Sequence, residues 1–299
     1  EYALARTEQK SGSGYQGFTC DYSIQTTLEQ DLKRRDLTIN AMALNEQGAL
    51  IDPFNGQQDL QHKRLAHITS TFAEDPLRVL RVARFGAYLQ ARGFEVAADT
   101  ITLMQTMSRS GELATLTPER VWQETQKALT TARPDSYFRI LHETNALSEL
   151  FPEVDCLFGI PAYFPTLHRN NAQPGNRPNQ ETEHDRGDHH QPVKDAGEHA
   201  LDSLTQAAAL TGDVSIRLSA LLLGVGRSRS NSRLWPQHDG FETLSGPIIQ
   251  HFCQRFRSTK SLRELATLAA QNHQMIHRTC SLTPAEVVAL LDRCDVWRR

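Results

Sequence analysis

The sequence predicts an α+β protein in which a short mixed segment of strands and helices is followed by a long helical region. Short apolar runs separated by turn residues fill residues 1–61, whereas apolar residues recur every three or four positions in residues 62–160. The same helical spacing returns over residues 199–299. Between the two helical parts, residues 161–198 are polar and rich in Pro, Asn and His, which predicts a linker or insertion.

Composition limits the classes of function that are open to the chain. Its 299 residues carry 32 Lys and Arg against 35 Asp and Glu, a net charge of −3, so a polyanion could bind only at a local basic cluster. The five cysteines are scattered without a CxxC pair, which argues against a zinc knuckle or disulfide framework and favours a reducing, cytoplasmic compartment. The longest apolar run, Leu218–Val225, is too short to span a membrane, so no membrane partner is expected.

The first 61 residues alternate between predicted strands and turns. "EYALA" at the start is typical of a strand, and the following "KSGSGYQGFTC" is typical of a loop. The loop formally matches GxGxxG, but "FTCDY" after it does not begin a helix, so a dinucleotide site is not expected. An amphipathic stretch, "LEQDLKRRDLTINAMALN", leads to two apolar runs around "NEQG", which predict a hairpin closed by a turn at Asp52–Pro53.

Two helix starts are visible in residues 62–160. In "EDP" (74–76), Asp75 is placed to cap a helix and Pro76 suits its first position. In "LTPER" (116–120), Thr117 can cap, and Pro118 suits the first turn.

The helix predicted after "EDP" carries three arginines on an otherwise apolar sequence, "EDPLRVLRVARF". Arg78, Arg81 and Arg84 are three residues apart, so they form a slanting stripe roughly 120° wide. Guanidinium groups at this spacing repel one another unless anions lie between them, and their planar forks suit phosphate oxygens and base edges. The residues alone leave two alternatives open, an anion clamp and a solvated stripe over the apolar face.

A second basic cluster lies in "KRRD", where Arg34, Arg35 and Asp36 precede Asn40. Taken alone, a solvated helix face with a local ion pair is favoured over a phosphate clamp. Seven histidines could suggest a metal site, but they are dispersed and show no HExxH motif, which favours ordinary surface residues. They are His184, His189, His190, His199, His238, His273 and His277.

Four motifs together resemble one enzyme family. "DLKRRDLTINAMAL", "IDPFNGQQDL", "EDPLRVLRVARF" and "LTPERVWQET", in this order and spacing, resemble the bacterial CCA-adding enzymes, the class II tRNA nucleotidyltransferases. The likeness is to the enterobacterial type with an added HD phosphohydrolase domain, and it is strong over residues 1–160 and weaker over 193–299. Bacterial poly(A) polymerases share the RRD and EDPxRxxRxxRF patterns and stay an alternative, as does a non-catalytic remnant that binds RNA or nucleotide.

The resemblance implies how the chain is divided and what the protein does. Residues 1–61 would be the C-terminal part of a nucleotidyltransferase head with a mixed sheet, residues 62–160 a helical neck and body, and residues 199–299 an HD-like helical domain. The family adds C, C and A to the tRNA 3′ end from CTP and ATP without a nucleic-acid template. The implied partners are therefore tRNA, ATP and CTP.

The resemblance also assigns roles to residues. Asp75 and Arg78 would read the edge of the incoming base. Arg35, Arg81 and Arg84 would hold the triphosphate and sugar of the nucleotide. The residues expected to order or support the site are Arg34, Asp36, Asn40 and Glu74.

The resemblance is incomplete at the expected metal sites. The family uses Mg²⁺ on a DxD pair after a GGxxRD loop, and neither motif occurs in these residues; only Glu1 is a weak candidate for a catalytic acid. The expectation is that the chain is truncated at both ends and inactive as it stands. In the HD-like part His199 matches the first metal ligand of the family, but Leu223 and Gly224 replace the central His-Asp pair. A degenerate HD domain is therefore favoured over the alternative, a metal-dependent phosphohydrolase.

Overall fold

The computed structural model describes residues 5–10, 18–23, 25–164 and 193–294. The predictions for Glu1, for the centre of the glycine-rich loop and for the histidines at 184, 189 and 190 lie outside the described residues.

The N-terminal segment forms small antiparallel sheets, as the turn pattern predicts. Strand β1 (Thr7–Lys10) pairs with β2 (Phe18–Asp21), and the predicted hairpin pairs β3 (Ala43–Leu44) with β4 (Leu50–Ile51). Helix α1 (Leu28–Lys33) follows β2 and precedes β3 in the chain.

The prediction for the hairpin turn needs a correction. Asn45 organises the turn by accepting the N–H groups of Gln47 and Ala49, and the left-handed backbone that the turn requires falls on Gly48 (φ 78°). Asp52 instead accepts the N–H groups of Gly56 and Gln57 at the start of the next helix, α2 (Gly56–Gln61). A carboxylate placed there satisfies amide donors that a helix start otherwise leaves without partners.

Most of the rest of the described chain is helical, as predicted. A short parallel pair, β5 (Arg64–Leu65) and β6 (Glu95–Val96), lies beside the first of these helices. The first group of helices is α3 (Leu77–Leu89), α4 (Ala98–Arg109), α5 (Pro118–Leu129), α6 (Pro134–Glu143), α7 (Ala146–Leu150) and α8 (Pro152–Asp155). The second group is α9 (Ala196–Leu210), α10 (Val214–Leu222), α11 (Phe241–Arg255), α12 (Lys260–His277) and α13 (Pro284–Arg293).

Helix α3 is held at the centre of the first group by its small and β-branched residues. Val79, Val82 and Ala83 are fully buried between α5 and α6. At Gly86 a Cβ atom would lie 2.3 Å from Cδ1 of Ile140, so only glycine permits this separation of α3 and α6. The backbone of α3 is therefore fixed on the side opposite its arginines.

The predicted helix starts are confirmed to within one residue, with two differences in detail. Helix α5 begins at Pro118, but the Thr117 side chain makes no capping hydrogen bond. Helix α3 begins at Leu77, one residue later than predicted, so Pro76 and not Asp75 is its N-cap residue, although the Asp75 carboxylate accepts the Leu77 N–H at 3.1 Å.

Both ends of the predicted polar linker are ordered. Strand β7 (Pro161–Tyr163) pairs antiparallel with β8 (Val193–Asp195), and α9 follows immediately, capped by the Asp195 side chain. One apolar core runs through both groups of helices, from Leu37 to Ala270. None of the helices in the described residues is long and apolar enough to cross a bilayer.

Candidate functional site

The two basic motifs of the sequence meet in space at Asp36. This carboxylate is buried and accepts the Leu37 N–H and the Asn40 side-chain amide at Oδ1, at 2.9 and 3.0 Å. Its Oδ2 accepts Arg81 Nε at 2.7 Å, across 45 positions of sequence. Asp36 therefore joins the turn after α1 to the exposed side of α3.

Asp36 is ionised in this arrangement. Burial alone would raise its pKa, but the Arg81 charge and the hydrogen bonds from Asn40, Arg81 and the Leu37 amide hold the pKa below its ordinary value. The ionised carboxylate fixes Arg81 through its Nε atom, because charge-assisted hydrogen bonds are the stronger kind.

Arg78 forms a second connection between the motifs. Its Nη2 donates to the carbonyl oxygen of Arg34 at 2.6 Å, and its Nη1 donates to that of Thr71 at 2.5 Å. The residue is only 7% exposed, so the simple alternative of a solvated arginine stripe is wrong at this position. In this conformation both terminal nitrogens of Arg78 are engaged with backbone.

Arg84 is held by an acid from a different helix. Its Nε lies 2.5 Å from Oε2 of Glu124 on α5, and its guanidinium lies over the Phe85 ring, 4.3 Å from the centroid. Glu124 is also buried; burial would raise its pKa, but the bonds and charges of Arg84 and Lys127 keep that pKa below its ordinary value. The three arginines therefore coexist on α3 because backbone carbonyls and two carboxylates compensate them.

The two arginines of the KRRD motif, Arg34 and Arg35, share one acid, Asp31. Arg34 donates to Oδ1 of Asp31 from Nη2 at 2.6 Å, and Arg35 lies 3.5 Å from its Oδ2. Arg35 also donates to the backbone oxygen of Asn40 at 3.0 Å, and the Arg35 side chain stays largely exposed. Arg34 and Asp31 thus support the turn, whereas Arg35 lies at its solvent edge.

The acids before α3 lie at the entrance to the same region. Asp75 bonds the first amide of α3 and has an ion pair with Arg120 of α5 at 3.6 Å. Glu74 ends the short 3₁₀ turn Ser70–Glu74 and is half-buried. Both acids therefore lie at the N-terminal end of the helix that carries the arginines.

The chemistry that this arrangement permits is recognition of an anion by two arginines held at fixed positions. Asp36 and Glu124 each engage the Nε atom, and neither terminal nitrogen of Arg81 or Arg84 hydrogen-bonds another of the described residues. These nitrogens can donate to phosphate oxygens in the planar, two-point geometry that arginine offers. Arg81 is 37% exposed, which leaves room for such a ligand.

The described residues of the site do not suit Mg²⁺. This ion requires free oxygen ligands, usually carboxylates, in octahedral geometry. The buried carboxylates Asp31, Asp36 and Glu124 are each engaged by an arginine, and the described residues contain no group of three or more potential metal ligands. No step of a mechanism is therefore assigned to a metal held by these residues.

Two of the C-terminal histidines, His238 and His199, have structural contacts. His238 is fully buried, with Nδ1 2.6 Å from Ser230 Oγ and Nε2 2.8 Å from the Pro161 carbonyl oxygen. His199 stacks on Phe164, and burial, with a smaller contribution from the Arg227 charge, lowers its pKa to about 4. Neither ring is arranged with other ligands around a common centre.

Arg227 occupies the space beside the expected metal-binding positions. A Cβ on Gly224 would lie 2.3 Å from Arg227 Nη1, so a side chain at position 224 would require this guanidinium to move. Arg227 is buried over the Phe241 ring, 3.8 Å from its centroid, and burial lowers the pKa of Arg227 to about 10.

Three site residues were missed by sequence reasoning. They are Asp31, Arg120 and Glu124, which hold Arg34, Asp75 and Arg84 respectively. The usable signal was a charged residue on the buried face of a predicted helix: Glu124 lies one turn after Val121 in "PERVWQET" and must be paired if it is buried.

Comparison with protein families and solved structures agrees with this fold. Residues 1–66 match the poly A polymerase head domain, and residues 93–157 match the probable RNA and SrmB-binding site of polymerase A. A CCA-adding enzyme in an apo form has a TM-score of 0.58 at 21% identity, over 96% of this chain and 56% of that one. Complexes of CCA-adding enzyme with CTP and with ATP have TM-scores of 0.51 and 0.52, both at 21% identity, over 85% and 87% of this chain and 50% and 51% of theirs.

The chain thus spans about half the length of these proteins, and the likeness establishes a shared fold, a nucleotidyltransferase head followed by a helical body. The two family models together cover residues 1–66 and 93–157, and the solved structures show the shared fold.

Proposed function

We propose that the protein is a tRNA nucleotidyltransferase that adds C, C and A to tRNA 3′ ends from CTP and ATP. The observation that carries the proposal is the pair of buried carboxylates, Asp36 and Glu124, which hold Arg81 and Arg84 by their Nε atoms. Two arginines fixed side by side on one helix, with terminal nitrogens available, suit the triphosphate of a nucleotide.

Each residue has one role in this proposal. Arg81 and Arg84, together with the exposed Arg35, hold the triphosphate and sugar. Asp75 and Arg78 read the base edge, for which Arg78 exchanges at least one of its carbonyl partners for the base. Arg34, Asp36, Asn40 and Glu74 support the site.

The reaction joins the tRNA terminus to the nucleotide. The 3′-hydroxyl oxygen of the tRNA attacks the α-phosphorus, the new P–O bond forms, and the bond to the departing pyrophosphate breaks. The Mg²⁺ that the resemblance implies would neutralise charge on the phosphates, but the described residues of the site do not offer ligands for it. The arginines of this chain orient the triphosphate so that the leaving group lies opposite the attacking oxygen.

The experiment is an addition assay with analysis of the product. The full protein is incubated with tRNA that lacks CCA, with CTP, ATP and Mg²⁺, and the extended 3′ ends are sequenced. The expected product ends in CCA and stops there. A heterogeneous tail of A would contradict CCA addition, and binding of tRNA without any incorporation would contradict nucleotidyl transfer.

A poly(A) polymerase is the second candidate, because residues 1–66 match the head domain of that family. The same assay with ATP as the sole nucleotide separates the two activities. A CCA-adding enzyme adds little to a tRNA that lacks both C residues, whereas a poly(A) polymerase extends it repeatedly.

We also propose that residues 199–299 are a degenerate HD domain without phosphohydrolase activity. The support is that His238 has both ring nitrogens engaged and that the Arg227 guanidinium lies in the space that a side chain at position 224 would enter. Metal analysis of the purified protein should find no stoichiometric Ni²⁺, Mn²⁺ or Zn²⁺. A bound equivalent of any of these ions would contradict the proposal.

A further inference from the structure

The basic face of α3 does not end at the nucleotide-binding arginines. Tyr88 follows Arg84 by four residues and Arg92 follows Tyr88 by four, so Arg84, Tyr88 and Arg92 lie along one side of the helix and its 3₁₀ extension. Over the eleven residue steps from Arg81 to Arg92 this side is about 16 Å long. It borders a groove of about 540 Å³, whose other wall is formed by Lys127 of α5 and by Thr130, Thr131 and Ala132, which follow the end of that helix.

The groove carries an excess of positive charge. Of the described residues that line it, Arg84, Arg92 and Lys127 are cationic and none is acidic. A single carboxylate, Glu124, is shared by Arg84 and Lys127. Arg92 has no ion pair with another described residue, and Lys127 is 60% exposed at the side chain.

A buried cation keeps the α5 wall of the groove from becoming negative. The last carbonyl groups of a helix carry partial negative charge and would repel an anion. Arg217, which is buried on α10, donates from Nη1 to the carbonyl oxygens of Leu129 and Thr131 at 2.5 and 2.7 Å. These two carbonyls therefore point to Arg217 behind the wall.

An aromatic ring lies between the cations. Tyr88 is 54% exposed, and the Arg92 guanidinium lies 5.2 Å from its ring centroid. An exposed ring flanked by cations is the arrangement by which proteins bind single-stranded nucleic acid, because a base stacks on the ring and phosphates contact the cations.

We propose that this groove binds the unpaired 3′ segment of the RNA substrate, with a base stacked on Tyr88 and phosphates at Arg92 and Lys127. The inference rests on the proposed function, since that function makes an RNA 3′ end the second substrate. The groove adjoins Arg84, so a strand bound there leads directly to the nucleotide. An acidic polypeptide would use the cations but has no need of the ring.

The test compares the affinity of the protein for two tRNA ligands that differ only at the 3′ end. Fluorescence anisotropy gives the dissociation constant of the full protein for a labelled tRNA with an unpaired 3′ end and for the same tRNA cut to a blunt acceptor stem. Tyr88→Ala is expected to weaken binding of the unpaired end about fivefold or more, with little effect on the blunt stem, since one stacked base contributes on the order of 1–3 kcal/mol. Tyr88→Phe keeps the ring and is expected to retain wild-type affinity.

Lys127→Gln tests the phosphate contact. It is expected to reduce the slope of log affinity against log salt concentration by about 0.7, the value for one contact to a single strand. Lys260→Gln is the matched control, because Lys260 is also exposed and also pairs with a glutamate on its own helix, at 3.6 Å. This variant should leave the slope unchanged.

The outcomes separate this inference from the proposed function. If the protein binds and extends tRNA but Tyr88→Ala affects both RNA ends equally or neither, the groove is not the path of the strand and the inference alone is overturned. Binding of poly-glutamate that Tyr88→Ala leaves intact, without binding of RNA, would assign the groove to an acidic protein. If the wild-type protein neither binds nor extends tRNA, the inference and the proposed function both fail.

Discussion

Replacing Asp36 with asparagine tests whether this buried carboxylate organises the site. The amide has nearly the same size and can still accept the Leu37 N–H, but it loses the charge opposite Arg81. A hydrogen bond to a charged group contributes about 1.5–3 kcal/mol. Since Arg81 is partly exposed and water can replace some of that interaction, Asp36→Asn should lower the free energy of unfolding by about 1–2 kcal/mol at pH 7.

The effect should depend on pH in a defined direction. The folded-state pKa of Asp36 is lowered, so its stabilisation is present above the ordinary aspartate pKa of about 3.9 and is lost as the pH falls through the folded-state value. The difference in unfolding free energy between wild type and Asp36→Asn should therefore be largest near pH 7 and should narrow towards pH 3.

The assay is urea denaturation at both pH values, with Asp99→Asn as the matched control. Asp99 also pairs with an arginine, Arg64 at 3.3 Å, but both side chains are about half exposed or more, and such pairs contribute about 0–1 kcal/mol. Equal effects of Asp36→Asn and Asp99→Asn at pH 7, or a difference that does not change with pH, would refute the reasoning.

Three further predictions concern the bases, the phosphates and acid stability. Arg78→Ala should reduce discrimination between CTP and ATP by about 1–3 kcal/mol, the contribution of a base-edge contact, measured as the ratio of kcat/KM values; an unchanged ratio with a lower rate would refute base reading. Arg84→Ala should raise the dissociation constants of CTP and ATP by the same factor in equilibrium dialysis, whereas loss of one nucleotide alone would contradict a phosphate or sugar role. The pKa of His199 is lowered to about 4, so the folded state binds fewer protons than the unfolded state between about pH 6.5 and 4. The free energy of unfolding should therefore fall as the pH drops through this range. In urea denaturation His199→Gln should reduce this fall, and the exposed-site control His62→Gln should not.

The helices were predictable because their signals are local. "EDP" and "LTPER" placed the starts of α3 and α5 to within a residue or two, since proline and capping acids act on the first turn of their own helix. The hairpin of β3 and β4 was likewise predictable from apolar runs around "NEQG".

The end of α1 was not predictable from periodicity. The amphipathic pattern continues to Met42, yet the helix ends at Lys33 because the chain then pairs with a distant segment. Leu37 forms a β-bridge with His67, and the Thr38 N–H donates to the Ala66 carbonyl oxygen. This tertiary pairing overrides local helix propensity.

The ion pairs of the site were predictable in kind but not in partner. The spacing of the three arginines on α3 predicts that they repel one another, so the sequence alone indicates that compensating groups are present. That Glu124 serves Arg84 and Asp36 serves Arg81 depends on how α5 and the turn after α1 pack on α3, and a periodic pattern contains no information on that register.

The central claim is that Asp36 and Arg81 act as one unit in binding the nucleotide. The direct measurement is a double-mutant cycle of Asp36→Asn and Arg81→Gln, with the CTP dissociation constant of the full protein as the readout. If Asp36 positions Arg81, Asp36→Asn alone weakens CTP binding and the two changes together cost clearly less than their sum, with a coupling of about 0.5–3 kcal/mol. If Asp36→Asn instead strengthens CTP binding, as removal of a nearby negative charge would by itself, or if the effects simply add, the account is contradicted.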